Sequence, residues 1–142
     1  MIYVLDASAI LRFTDQEPGF DRVRNLFYEA AQGKTQILLS AVNWGEIVTV
    51  VHRKDSRNAE TILANLTALP MTIVPVDAEA ATDAGKFKWS FDIPYADAFA
   101  GSLAMNCPLT SAKSEQATLV TADYDFKKVP KGTIRIEFLP IK

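Results

Sequence analysis

Four short apolar runs punctuate the chain at 2–5, 37–39, 71–74 and 118–120, each bounded by polar or turn residues. Hydrophobic side chains occupy both parities in these runs, which predicts strands covered on both faces. A fifth segment differs. Ile134, Ile136 and Phe138 share one parity while Arg135 and Glu137 take the other, as in an edge strand with one wet side. Between the strands the period changes. Phe20, Val23, Leu26, Phe27 and Ala30 recur at helical spacing, and Gly33 stands where a C-terminal stop belongs. Ser40 caps a second helix running to about His52, and a shorter pattern over 59–69 ends before Pro70. Asp77 caps a helix directed towards Trp89, and Pro94 opens another that reaches about Met105. Strands alternating with helices imply an α/β fold, with a mainly parallel sheet joined by right-handed crossovers and helices on both faces. Residues 107–116 lack a clear period and read as a surface loop. No internal repeat or linker divides the 142 residues, so a single domain is expected.

Composition narrows the class. The chain is 49% hydrophobic and 23% charged, which excludes a disordered or low-complexity polymer. A net charge of -2 neither demands nucleic acid as a partner nor excludes a local basic stripe. The single cysteine, Cys107, cannot form an intrachain disulfide, so a reducing compartment is allowed. The first residues, MIYVLDASAIL, carry no positive segment and include an Asp, which makes a poor signal peptide. No apolar run approaches the roughly 18 residues of a membrane span. The expectation is a soluble, cytoplasmic domain.

The acids then change the picture. Asp6 directly follows the first strand, and Asp123 and Asp125 follow the strand near 118–120. Ligands of open α/β sheets bind at the carboxyl ends of the strands, although an Asp there can also simply cap a turn. Glu46 lies between Val42 and Val50 on its helical wheel, about 40° from each. A carboxylate on a partly apolar face needs a positive partner, either a bound cation or Arg53 two turns away. Asp97 shares its face with Gly101 and Ala104, small residues that allow close backbone approach. Its other reading is an acid favoured by the helix dipole.

If Asp6, Glu46, Asp97 and Asp123 converge, their mutual repulsion requires a cation. An oxygen-only donor set suits Mg²⁺ or Mn²⁺, and one His and one Cys leave too few ligands for zinc. Such centres usually act on phosphates, through ions that generate a nucleophile from water and offset the charge of an in-line displacement. His52, at a helix end without a Ser or Cys partner, gives no support to nucleophilic triad chemistry and reads as a surface residue.

The motifs VLDASAI at 4–10, NWGEI at 43–47, YADAFA at 95–100 and LVTADYDF at 119–126 resemble, in order and spacing, the PIN-domain family. More narrowly they resemble VapC-type toxin ribonucleases of type II toxin–antitoxin pairs. The resemblance implies an α/β/α sandwich and metal-binding carboxylates at Asp6, Glu46, Asp97 and Asp123. It further implies a supporting acid at Asp125 and site hydroxyls at Ser8 and Thr121. It also implies an RNA substrate, a small antitoxin that blocks the acidic pocket, and a homodimer. Two departures stand out. Ala122 replaces the Gly usual in a Thr-Gly-Asp turn, where a positive φ would strain it, and the 107–116 segment is longer than usual.

A nuclease needs cations on its rim. Arg12 and Lys127 are the best placed in sequence, with 52–54, Arg57, Lys86, Lys88, Lys128 and Lys131 as further candidates against the plain reading of solvated surface. Trp44, opposite Glu46 on the wheel, reads as core, whereas Trp89 reads as an exposed ring able to stack on bases. Two other functions remain compatible with the sequence. One is a phosphatase or phosphoacceptor using Asp6 as nucleophile; the other is a non-catalytic PIN-like scaffold binding RNA or protein.

Overall fold

The computed structural model describes residues 1–107 and 116–142. Within these residues five strands form one sheet: β1 (Ile2–Leu5), β2 (Gln36–Ser40), β3 (Thr72–Val74), β4 (Thr118–Thr121) and β5 (Arg135–Phe138). Their spatial order is β3-β2-β1-β4-β5, and every pairing is parallel. Among the described residues six helices connect them: α1 (Ala7–Thr14), α2 (Phe20–Ala31), α3 (Ala41–Lys54), α4 (Ala59–Thr67), α5 (Ala78–Phe91) and α6 (Tyr95–Met105). A 3-10 turn, Tyr124–Lys128, follows β4.

Pleating sends alternate side chains of each central strand into two separate cores. Tyr3, Leu5, Ile37, Leu39 and Val120 face α1, α2, α3 and α4, where they meet Ile10, Val23, Leu26, Ile47, Val51 and Leu63. Val4, Leu38 and Leu119 face the other way, towards Phe87 of α5, Phe99 of α6 and Phe126. This is the three-layer α/β/α architecture expected. The edge strand β5 behaves as its alternation predicts: Ile134, Ile136 and Phe138 pack on the second core, while Arg135 is exposed. Glu137 is held by Arg22 of α2 at 2.7 and 3.0 Å.

The local signals also operate. Gly33 adopts a φ of 76°, its N–H bonds to Ala30 O at 3.0 Å, and Lys34 N–H bonds to Glu29 O at 2.9 Å. These are the two bonds of a Schellman stop, which needs a left-handed residue after the helix. Ser40 caps α3 through Val42 N–H at 3.2 Å, and Asp77 caps α5 through Ala80 N–H at 2.9 Å. Helix α1 has no counterpart in the sequence-based assignment. It is only eight residues long and directly follows Asp6, whose side chain is its N-cap. The surface loop expected at 107–116 lies mostly outside the described residues; Cys107 is buried and Gln116 exposed. Among the described residues no helix is long and apolar enough to cross a membrane.

Candidate metal centre

The sheet order reverses direction at β1, with β2 and β3 to one side and β4 and β5 to the other. Such a switch point opens a crevice beyond the carboxyl ends of the two adjacent strands. Leu5 pairs with Val120, so the next residues, Asp6 and Thr121, emerge side by side. Asp6 is buried, at 1% exposure, and each of its oxygens is engaged. Oδ1 accepts from Ala9 N–H at 3.0 Å and from the Ser8 hydroxyl at 2.6 Å, and Oδ2 accepts from the Thr121 hydroxyl. The hydroxyls in turn fix the β4 turn: Ser8 Oγ accepts from Ala122 N–H, and Thr121 Oγ1 accepts from Asp123 N–H, both at 2.9 Å. Burial pushes the Asp6 carboxyl up to about 6, against the pull of hydrogen bonds from Ser8, Thr121 and Ala9. The charge of Asp123 adds to the upward shift.

Across the crevice, Asp97 stands in the first turn of α6, directly after the Pro94 entry. Asp123 caps the 3-10 turn through Asp125 N–H at 2.9 Å. One carboxylate oxygen from each of Asp97, Asp123 and Asp125 lies within 4.8 Å of the others. Asp97 is pushed up to about 8, first by burial, next by sharing a proton with the Asp123 carboxylate. The negative charges of Asp123, Asp6 and Glu46 follow. Three other stretches of chain, distant in sequence, therefore act electrostatically on one group. Asp97 Oδ2 is buried and has no hydrogen-bond partner, and a buried acceptor without a partner is costly. Three features fit a bound cation: an oxygen-only donor set, a carboxyl whose pKa its acidic neighbours raise, and an orphaned buried oxygen. A hard divalent ion answers all three.

The five sequence-predicted acids differ in place. Asp97, Asp123 and Asp125 form the tight group, whereas Asp6 and Glu46 lie outside that set and bear on Asp97 through their charge. Glu46 accepts from Asn43 Nδ2 at 2.9 Å, and among the described residues no ion pair joins it to Arg53. The alternative of Asp6 and Asp123 as caps is also realised, since each carboxylate caps a helical turn while facing the crevice. Gly101 packs so tightly on Phe87 that an added Cβ would stand 2.5 Å from the ring, so the small-residue face of α6 is used for close approach to α5. The Ala122 departure carries no strain, because among the described non-glycine residues only Gln16 and Asp92 have positive φ.

Of the rim candidates, Arg12 directs Nη1 to the carbonyls of Pro18 and Pro140, at 2.8 and 3.0 Å. Lys127 is exposed, with its ammonium 4.3 Å from the Phe138 ring centre. His52 is a surface residue near Glu60. Trp44 packs on the first core, and Trp89 is 88% exposed. Asn43 is the residue that sequence reasoning does not single out. It is fully buried and bonded to Glu46, and its spacing of three from Glu46 on a helix is the one signal available.

The fold has solved counterparts among VapBC structures. VapBC2 from Rickettsia felis, bound to a DNA fragment from its promoter, contains a chain that matches with a TM-score of 0.73 at 21% identity, over 99% of this chain and 100% of that one. DNA-bound VapBC from Salmonella typhimurium matches with a TM-score of 0.67 at 18% identity, over 97% and 98%. VapBC-1 from nontypeable Haemophilus influenzae gives 0.67 at 14%, over the same shares. These likenesses show a shared architecture. By sequence, no curated protein matches. The PIN domain family model matches residues 3–132, and the chain belongs to that family.

Proposed function

We propose that this protein is a Mg²⁺- or Mn²⁺-dependent endoribonuclease, the toxin of a type II toxin–antitoxin pair. The observation that carries the reading is the crowding of acids on Asp97, whose carboxyl is raised to about 8 and keeps one buried oxygen unpartnered. Family membership and the VapBC likenesses support it. Asp97, Asp123 and Asp125 hold the ion, with Asp6 and Glu46 completing the negative field around it. When bound, the ion supplies Lewis acidity towards phosphodiester oxygens and positive charge against which water loses a proton. The chain's own residues do the rest. Ser8 and Thr121 hold Asp6 in one orientation, and Asp6 keeps α1 and the β4 turn in register. Lys127, beside Asp125 in sequence, and Arg12 carry positive charge for the RNA backbone. No covalent nucleophile is used, and Asp6 is ill suited to be one, being buried with both oxygens engaged.

The same reading places the protein in the cytoplasm, as a homodimer neutralised by a small antitoxin. The decisive test is cleavage of a mixed RNA substrate by purified protein with Mn²⁺, with EDTA, and by Asp6→Asn. Cleavage that requires the ion and falls by at least ~10²-fold in the variant is expected, in line with loss of electrostatic stabilisation at a reacting centre. Equal cleavage by Asp6→Asn and wild type would overturn it.

A further inference from the structure

We infer that Asn43 is the positioning residue of this centre, a single side-chain amide that clamps Glu46 and the Asp97 turn to each other. The inference rests on the metal-dependent reading above. Asn43 is fully buried in the first turn of α3. Its Nδ2 donates to Glu46 Oε1 at 2.9 Å and to the carbonyl of Ala96 at 3.0 Å. Ala96 lies 53 positions away in sequence and immediately precedes Asp97. One nitrogen thus ties an acid of α3 to the helical turn that presents an acid of α6.

The chemistry of the position is specific. Both partners only accept, so the atom facing them must be the amide nitrogen and not its oxygen. A primary amide offers two N–H donors on one atom without positive charge. Lys or Arg there would satisfy the same acceptors, but would compete with a cation for the same field. A hydroxyl has one donor and leaves one acceptor unanswered. The arrangement also leaves Asn43 Oδ1 buried and without a partner. A buried polar atom of that kind destabilises the fold, and an apolar residue would avoid it. The amide is therefore placed for what its nitrogen orients, not for stability.

The test compares wild type, Asn43→Ala, Glu46→Ala and the double variant, with Mn²⁺ binding read by calorimetry and RNA cleavage read against Mn²⁺ concentration. Circular dichroism checks folding, and Asn43→Ser replaces Asn43→Ala if the latter does not fold. Loss of the amide should weaken Mn²⁺ binding by about 10–100-fold, as removal of groups that orient ligands does elsewhere. Cleavage should need correspondingly more Mn²⁺ and return to within a few-fold of wild type when the ion saturates. In the Glu46→Ala background, removing Asn43 should weaken binding by less than it does alone, because one of the two groups it ties together is gone. Wild-type Mn²⁺ affinity in Asn43→Ala, or deficits that simply multiply in the double variant, overturns the positioning role and leaves the nuclease reading intact. A wild-type protein that neither binds Mn²⁺ nor cleaves RNA overturns both.

Discussion

Asp6 has an opposed environment: burial raises its carboxyl, while two hydroxyls and a backbone N–H lower it, leaving it at about 6. Removing one of those donors must move the balance upward. Thr121→Val keeps the shape of the side chain and deletes the hydroxyl that serves Asp6 Oδ2 and receives Asp123 N–H. Titration of metal-free protein, followed by carboxyl NMR, should show Asp6 shifted up by about one pH unit. An unmoved titration would mean that the hydroxyl is a bystander. The acids themselves were legible in the sequence, because an Asp at the end of an apolar strand, or a Glu between valines on a helix, contradicts the pattern around it. Asn43 was not. A lone amide in a helix contradicts nothing until the carbonyl it reaches, 53 residues away, is in place. Asp6 shows a further limit: capping and site chemistry draw on the same residue types at the same positions, and here one carboxylate does both.

Helices α5 and α6 approach each other closely in the second core. The Phe87 ring lies over Gly101 and packs edge-on against Phe91, with centroids 4.8 Å apart. Gly101→Ala gains about 1 kcal/mol of helix propensity. It also forces a methyl into a buried ring whose nearest carbon would be 2.5 Å away. Overpacking of that kind costs about 1–3 kcal/mol, so a net loss of about 1 kcal/mol is expected in urea unfolding. The Phe87→Leu/Gly101→Ala pair should be less damaging than the sum of its parts, since the shorter side chain vacates the space. Strict additivity would place the strain elsewhere. The small-residue face was readable from Asp97, Gly101 and Ala104, but its partner was not. Helix α1 escaped the sequence-based assignment for a related reason: eight residues give barely two turns, too few for a period to declare itself. The strand order β3-β2-β1-β4-β5 also escaped it, and that order is what sets Asp6 beside Thr121.

For the molecule as a whole, the protons of the crevice are coupled to folding. In the unfolded chain Asp97 titrates near 3.8, and in the folded chain at about 8. Between those values the folded protein holds a proton that the unfolded chain has released, so the metal-free protein loses stability as pH rises through that window. Asp6, raised to about 6, adds to the loss over a narrower range. The proposed divalent ion would reverse the preference, because it would bind the ionised carboxylates and only the folded chain assembles them. In EDTA, thermal unfolding of wild type should fall steadily from pH 5 to pH 8. Asp97→Asn, which has no proton to lose there, should follow a flatter course and exceed wild type at pH 8 by about 1 kcal/mol or more, about 4 °C for a chain of this length. Millimolar Mn²⁺ should invert the ranking: an ion at a hundred times its Kd adds about 2.7 kcal/mol to wild type, and the variant gains little. Binding should release protons below pH 8, seen as a calorimetric heat that depends on the ionisation enthalpy of the buffer. Superimposable curves for wild type and Asp97→Asn in EDTA would show that Asp97 titrates alike in the folded and unfolded chains, and would remove the electrostatic case for a cation in the crevice.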